Sequence, residues 1–258
     1  MNQEQALTIN RDSWNEIAAQ YYGRTALPEY GPLAQSETEL NLLGNITGTK
    51  ILEIGCGSGH SLLYLAQRGA SELWGIDIAP SQIAFASSLL ENNEVTHHLF
   101  ESPMEENPGI PSAYFDLVIS IYALGWTVNL VKTLTLVASY LKPGGAFIFS
   151  WEHPAYRCLA YEGGQFVVKC SYHNEGSHLH PSWKGVPIVH SPRKLSTYLN
   201  YIIEAGLTLE RVVESAVNAR AVNEKGYLPE SWYSVPRAEM IPTTVIIKAR
   251  KDEARTEG

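Results

Sequence analysis

Residues 51–60 read Ile51-Leu52-Glu53-Ile54-Gly55-Cys56-Gly57-Ser58-Gly59-His60, a strand-like run that passes directly into spaced glycines. An apolar run holds one acid, three glycines then alternate with small residues, and Leu62, Leu63, Leu65 and Ala66 follow on one helical face. That order predicts a buried parallel strand, a tight turn and a helix start. Glycine admits positive φ and close approach of a ligand to the backbone. The helix N-terminus behind the turn offers unpaired N–H groups to an acceptor. A ligand-cradling turn at the end of the first strand is the expectation.

The spacing separates two ligand classes. Dinucleotide folds use G-x-G-x-x-G against a pyrophosphate. Here the order is G-x-G-x-G after Glu53, and a carboxylate so near the turn suits an ammonium better than a pyrophosphate. The string resembles the first motif of class I S-adenosylmethionine (SAM)-dependent methyltransferases. Glu72-Leu73-Trp74-Gly75-Ile76-Asp77 reads as the next strand, ending in an acid at the place where a βαβ unit delivers a ribose-binding carboxylate. The bland alternative is that Asp77 caps the helix opened by Pro80 and Ser81. Tyr114 to Ser120 looks like the family's fourth strand, and Leu141-Lys142-Pro143-Gly144-Gly145 like its turn into the fifth.

The resemblance implies an α/β fold: a Rossmann-like, seven-stranded, mostly parallel sheet with helices on both faces and an inserted lid. The chain then reads as a single domain, 1–258, with an N-terminal helical cap over 1–45 and insertions at 151–190 and 215–240. Helices are expected over 9–22, 35–43, 59–68, 80–91, 129–141 and 191–204. The remaining strands fall near 95–100, 207–214 and 243–248. Residues 151–190 are rich in His, Tyr, Gly and Pro without a sustained period, which reads as a lid with short elements of its own.

Composition narrows the function. The 258 residues suffice for one α/β domain with a sizeable core. No apolar run is long enough to cross a membrane. The stretch Met1 to Gln5 lacks the basic and apolar regions of a signal peptide, and three cysteines suggest a reducing compartment, so a cytoplasmic location is expected. A net charge of −8 without a basic cluster argues against a nucleic-acid partner. Lys248, Arg250 and Lys251 simply close the last strand, and the charged tail 252–257 reads as frayed.

Site residues follow from the resemblance. Glu53 is expected at the methionine amino end, the Gly55, Cys56 and Gly57 backbone along the cofactor, Asp77 and Ile78 at the ribose, and Glu101 and Ser102 at the adenine. Ser120 and Tyr21 complete the cofactor set; the alternative for Tyr21, with Trp14, is a core contact of an amphipathic helix. Tyr122 and Trp126, beyond strand four, form a candidate aromatic wall beside the sulfonium, where plain packing is the alternative. That loop is not the Asn/Asp-Pro-Pro-Tyr/Phe pattern of enzymes acting on amide or nucleobase amino groups. Tyr122 and His153 are the catalytic candidates, His153 as a base because histidine titrates near neutrality. Cys170, His173, His178 and His180 do not match a zinc framework, so no metal is expected.

The expected function is transfer of a methyl group from SAM to a small-molecule acceptor, with S-adenosylhomocysteine (SAH) as product, in a small-molecule, type 11-like methyltransferase. A non-catalytic SAM-binding regulator and an NAD-dependent oxidoreductase are the rival readings. The acceptor atom and the oligomeric state stay open.

Overall fold

The computed structural model describes residues 1–218 and 230–253. Its centre is β1 (Lys50–Ile54), flanked in parallel by β2 (Glu72–Asp77) and β4 (Phe115–Ile121). All four residues from Ile51 to Ile54 are buried, as a central strand covered on both faces requires. β3 (His97–Glu101) extends the sheet beyond β2, and β5 (Leu141–Glu152) extends it beyond β4. β10 (Leu207–Glu214) and β11 (Thr244–Lys251) complete the order β10-β11-β5-β4-β1-β2-β3. β11 alone runs against its neighbours. The strand order reverses between β1 and β4, and open α/β sheets bind ligands at such a reversal, outside the carboxyl ends of the strands.

Helices α3 (His60–Gln67), α4 (Pro80–Asn92), α5 (Leu130–Tyr140) and α6 (Leu195–Glu204) cover the faces. The strands feed two apolar clusters by alternation. Leu52, Val118 and Phe147 join the α5 and α6 side with Leu134 and Ile202. Ile51, Ile119 and Ile148 join the α3 side with Leu62 and Leu65. Among the described residues no helix is long and apolar enough to cross a membrane.

Among the strands, β3 starts two residues later and β11 ends three residues later than expected, and three helix boundaries differ by several residues, each for a local reason. Helix α1 spans Gln3–Ile17, and a short 3-10 turn carries it to Tyr21, because Asn2 and Gln5 form a reciprocal capping box six residues before the apolar pattern begins. The helix expected over 35–43 is only α2 (Glu37–Leu40). There the buried Glu37 carboxylate accepts the N–H groups of Leu42 and Leu43 at 2.9 and 3.0 Å, and Asn41 takes a left-handed φ of 46°. Helix α6 starts at Leu195, four residues past Ser191, where Glu175 accepts the N–H of Lys194 and Tyr172 that of Leu195.

The 151–190 insertion holds two hairpins, β6 (Leu159–Glu162) with β7 (Gln165–Val168), and β8 (His178–Trp183) with β9 (Val186–His190). Five of the six β8 residues are exposed, so no apolar alternation marked that strand. Of the expected 215–240 excursion, residues 219–229 lie outside the described residues; the part that follows carries α7 (Val235–Ala238). The tail from 254 onward also lies outside them.

Candidate functional site

The glycine turn closes on β2. The N–H groups of Gly55 and Cys56 both reach the carbonyl of Ile76, at 2.8 and 2.9 Å. Gly55 and Gly57 have φ of 70° and 50°, where a side chain is strained. They differ in surroundings: a Cβ on Gly55 would overlap that of Ala123, whereas one on Gly57 would meet nothing nearer than Gln82 Oε1 at 3.9 Å. Gly57 therefore borders open space. The cap segment is stitched to the turn, since Ser58 and Ser61 accept the N–H groups of Gly23 and Leu27. Cys56 is buried, which pushes its thiol up and leaves it unreactive.

Two acids face this turn. Asp77, at the end of β2, accepts the N–H of Gly57 on Oδ2 and that of Ala79 on Oδ1, both at 2.9 Å. Burial raises its carboxyl to about 6, against the pull of the Ala79, Gly57 and Ile78 N–H groups. Glu53 is 2% exposed, and burial pushes its carboxyl well up despite a hydrogen bond from Ser61. Its Oε2 has no partner among the described residues, nor has Gln82 Oε1 or Ser120 Oγ. Buried polar atoms are ordinarily paired, so three orphans around one glycine turn ask for a ligand carrying donors. An amino acid end with an ammonium, a ribose with two hydroxyls and backbone room at Gly57 match that donor set. These residues fit S-adenosylmethionine.

The adenine-side candidates separate. Glu101 lies beside Asp77 in the β2–β3 register and is exposed. The N–H of Ser102, expected on the adenine ring, already goes to the Asp77 carbonyl at 2.9 Å. Glu105 turns inward instead, binding Thr127 and the N–H of Val128, and so braces the loop after β3 against the loop after β4. The proximity of Glu105 to Thr127 is a tertiary fact with no local signal in the sequence.

An aromatic roof covers the ends of β4 and β5. Trp14 of α1 packs on Tyr21, Trp126 and Trp183 at 5.1, 5.2 and 5.5 Å between ring centres. Tyr21 stacks on Trp183 of the β8–β9 hairpin, so the insertion does fold over this end of the sheet. Trp126 continues to Trp151, and Trp151 to Tyr122, each at 5.4 Å. Gly125 permits this, since a Cβ there would overlap the Trp151 ring. Tyr122 has φ of 54°, rare for a bulky residue, and its hydroxyl lies 2.8 Å from Thr244 Oγ1.

His153 is buried with both ring nitrogens engaged: Nε2 lies 3.0 Å from Glu214 Oε1, and Nδ1 accepts the N–H of Ala155 at 3.3 Å. This pattern fixes the proton on Nε2 and leaves no lone pair for a substrate proton. Burial lowers its basicity further, against the pull of Glu214. Among the described residues no group of three or more potential ligands is placed to hold a metal.

Comparison with known proteins agrees with the donor set. The methyltransferase domain family matches residues 52–149, from β1 to β5. An uncharacterized Haemophilus influenzae protein is 27% identical over 86% of this chain and 88% of its own length. A ubiquinone biosynthesis O-methyltransferase of Acinetobacter baylyi is 27% identical over 75% of this chain and 79% of its own. The crystal structure of an S-adenosylmethionine-dependent methyltransferase from Mesorhizobium loti superposes with a TM-score of 0.69 at 26% identity, covering 83% of this chain and 96% of that one. The chain spans 59%, 45% and 33% of the length of three further curated relatives. The glycine turn, its unpartnered acid and the seven-stranded order thus have one common explanation: residues 52–149 form a methyltransferase domain of the class I, SAM-dependent kind, and the cofactor is S-adenosylmethionine.

Proposed function

We propose that this protein methylates a small-molecule acceptor held between the glycine turn and the aromatic roof. The observation that carries the reading is the unpartnered Glu53 oxygen, buried at the end of β1 one strand away from Asp77. In this reading Glu53 receives the cofactor's ammonium, which restores the charge that burial suppresses. Gly55, Cys56 and Gly57 present backbone along the cofactor, Asp77 and Ile78 hold the ribose, and Glu101 and the Ser102 side border the adenine. Ser120 and Tyr21 complete the cofactor pocket. The cofactor supplies an electrophilic methyl group on a sulfonium; the protein aligns the acceptor and excludes water.

Tyr122 and Trp126 wall the acceptor side, and His153 braces the end of β5 against β10. The net charge of −8 supports a small molecule over a nucleic acid. The ubiquinone-pathway relative, named for O-methylation, supports an oxygen acceptor. Three free cysteines are consistent with a cytoplasmic location. Titration calorimetry with SAM, SAH and NAD, followed by methyl incorporation from labelled SAM into a metabolite extract, tests the reading. SAM and SAH should bind and NAD should not. Binding without incorporation into any metabolite would favour a regulatory SAM-binding protein.

A further inference from the structure

Glu152, the last residue of β5, has no task in the reading above. It sits opposite Thr244 at the start of β11. Its Oε2 accepts the indole N–H of Trp232 at 2.6 Å and the phenol of Tyr233 at 3.1 Å. Among the described residues nothing donates to Oε1. Arg157 and Arg237 act on the carboxylate only from a distance. Burial raises its carboxyl above the usual range, against the Trp232 and Tyr233 bonds. An acid with one oxygen committed to two neutral donors and the other open is an acceptor in want of a donor, and a raised carboxyl is a better proton acceptor near neutral pH.

Its surroundings say what shape that donor's molecule has. The Tyr233 phenol is near that of Tyr122, the end of the aromatic roof, and each shifts the other's ionisation. Tyr122 is locked: its strained φ is held by Thr244 on its hydroxyl and by Gly31, where a Cβ would overlap its ring. From Tyr122 the roof runs through Trp151, Trp126, Trp14 and Trp183, all half-buried. A fixed carboxylate oxygen at one end of a run of indoles suits a flat apolar molecule with one hydroxyl. A carboxylic acid would set two carboxylates together, and a cationic amine would be held as an ammonium without a lone pair to attack.

We propose that the acceptor is a planar phenol lying against the tryptophan roof, with its hydroxyl on Glu152 Oε1. The inference rests on the methyl-transfer reading. As the phenol oxygen bonds the methyl carbon supplied by the sulfonium, the sulfur–carbon bond breaks and its electron pair stays on sulfur. The O–H bond breaks in the same event, and its proton passes to the Glu152 carboxylate.

The test uses full-length protein loaded with SAH, tryptophan fluorescence, and two probes, 2-naphthol and 2-methoxynaphthalene, which differ in the hydroxyl hydrogen. The wild type should bind 2-naphthol about tenfold or more tightly than the ether, the worth of a hydrogen bond to a charged group. Glu152→Gln should bring that ratio close to one with SAH affinity unchanged. Trp183→Ala should weaken both probes alike. If Glu152→Gln does not fold, Glu152→Asp, which retracts the carboxylate by one methylene, must lower the ratio instead. Normal SAH binding without saturable 2-naphthol binding, or an unchanged ratio in the Glu152 variant, overturns the inference alone. Loss of SAH binding by the wild type overturns the methyl-transfer reading with it.

Discussion

The carboxylate of Asp77 reaches from the end of β2 to the N–H of Gly57 at 2.9 Å, so the acid and the glycine turn hold each other in position. Replacing the acid by alanine strands the N–H groups of Gly57 and Ala79 and removes the proposed ribose acceptor. Asp77→Ala should weaken SAM binding by about 1–3 kcal/mol, between about fivefold and 150-fold, measured by titration calorimetry. Unchanged affinity in a folded variant would take Asp77 out of the site.

The same acid gives the cofactor-free protein a pH signature. With its carboxyl raised from 3.8 to about 6, the folded protein keeps a proton between about pH 4 and pH 6 that the unfolded chain has released. Protons held by the folded state make stability fall as pH rises through that window, and the contribution is flat above it. The stability of wild type relative to Asp77→Asn should therefore decline from pH 4 to pH 6 and then level off. Denaturant melts across this range check the sign; a difference that grows with pH would refute it.

Gly55 and Gly57 should fail in different ways. Gly55→Ala drives a methyl into Ala123 and should lower stability by roughly 1–3 kcal/mol, the usual cost of overpacking. Gly57→Ala has room, so its stability cost should stay near the 1–2 kcal/mol of a left-handed residue. Its SAM affinity should nevertheless collapse, because the new methyl enters the space reserved for the cofactor. Thermal melts and calorimetry on the two variants separate these outcomes.

His153→Ala should act on stability. It strands the N–H of Ala155 and removes a buried ring, which costs roughly 1–3 kcal/mol at pH 7. Because burial lowers the ring's basicity, the unfolded chain binds the extra proton below about pH 6.5, and the wild type loses stability as pH falls there. The variant should lose less on acidification, and its SAM affinity should match wild type. A variant with wild-type stability and abolished methyl transfer would return His153 to catalysis.

The parallel core was legible because its determinants are local. The glycine turn, the acid ending β2 and the Pro-Gly-Gly turn each specify backbone within a few residues. β2 and β10 match their expected spans, 72–77 and 207–214. Reading failed where side chains from distant segments decide the outcome. Glu37 ends a helix by binding N–H groups ahead of it, and Glu175 fixes the start of a helix 20 residues on. His153 stands in the sequence as a base candidate, but only the fold brings Glu214 to the histidine, and Trp232 and Tyr233 to Glu152 beside it.

Asn10 ties the cap to the lid. Its buried amide donates to the Val189 carbonyl at 2.9 Å and accepts the Val189 N–H at 2.8 Å, completing the free edge of β9. Asn10→Ala leaves both groups of Val189 unpaired, at about 1–3 kcal/mol each in the buried limit. Hydrogen exchange should speed up at Val189, and protease cleavage in 178–190 should rise, while the β1–β4 core keeps its protection. Uniform loss of protection would mean the lid is not a separate unit.

The two ends of that tie are 179 residues apart in the chain. A ribosome releases α1 well before its partner strand, so the helix waits without that strand while β1 to β5 of the sheet beneath it emerge. Contacts of such separation close late, because the entropy of a long loop is surrendered before they form. The nascent protein thus owns a finished glycine turn before it owns a roof.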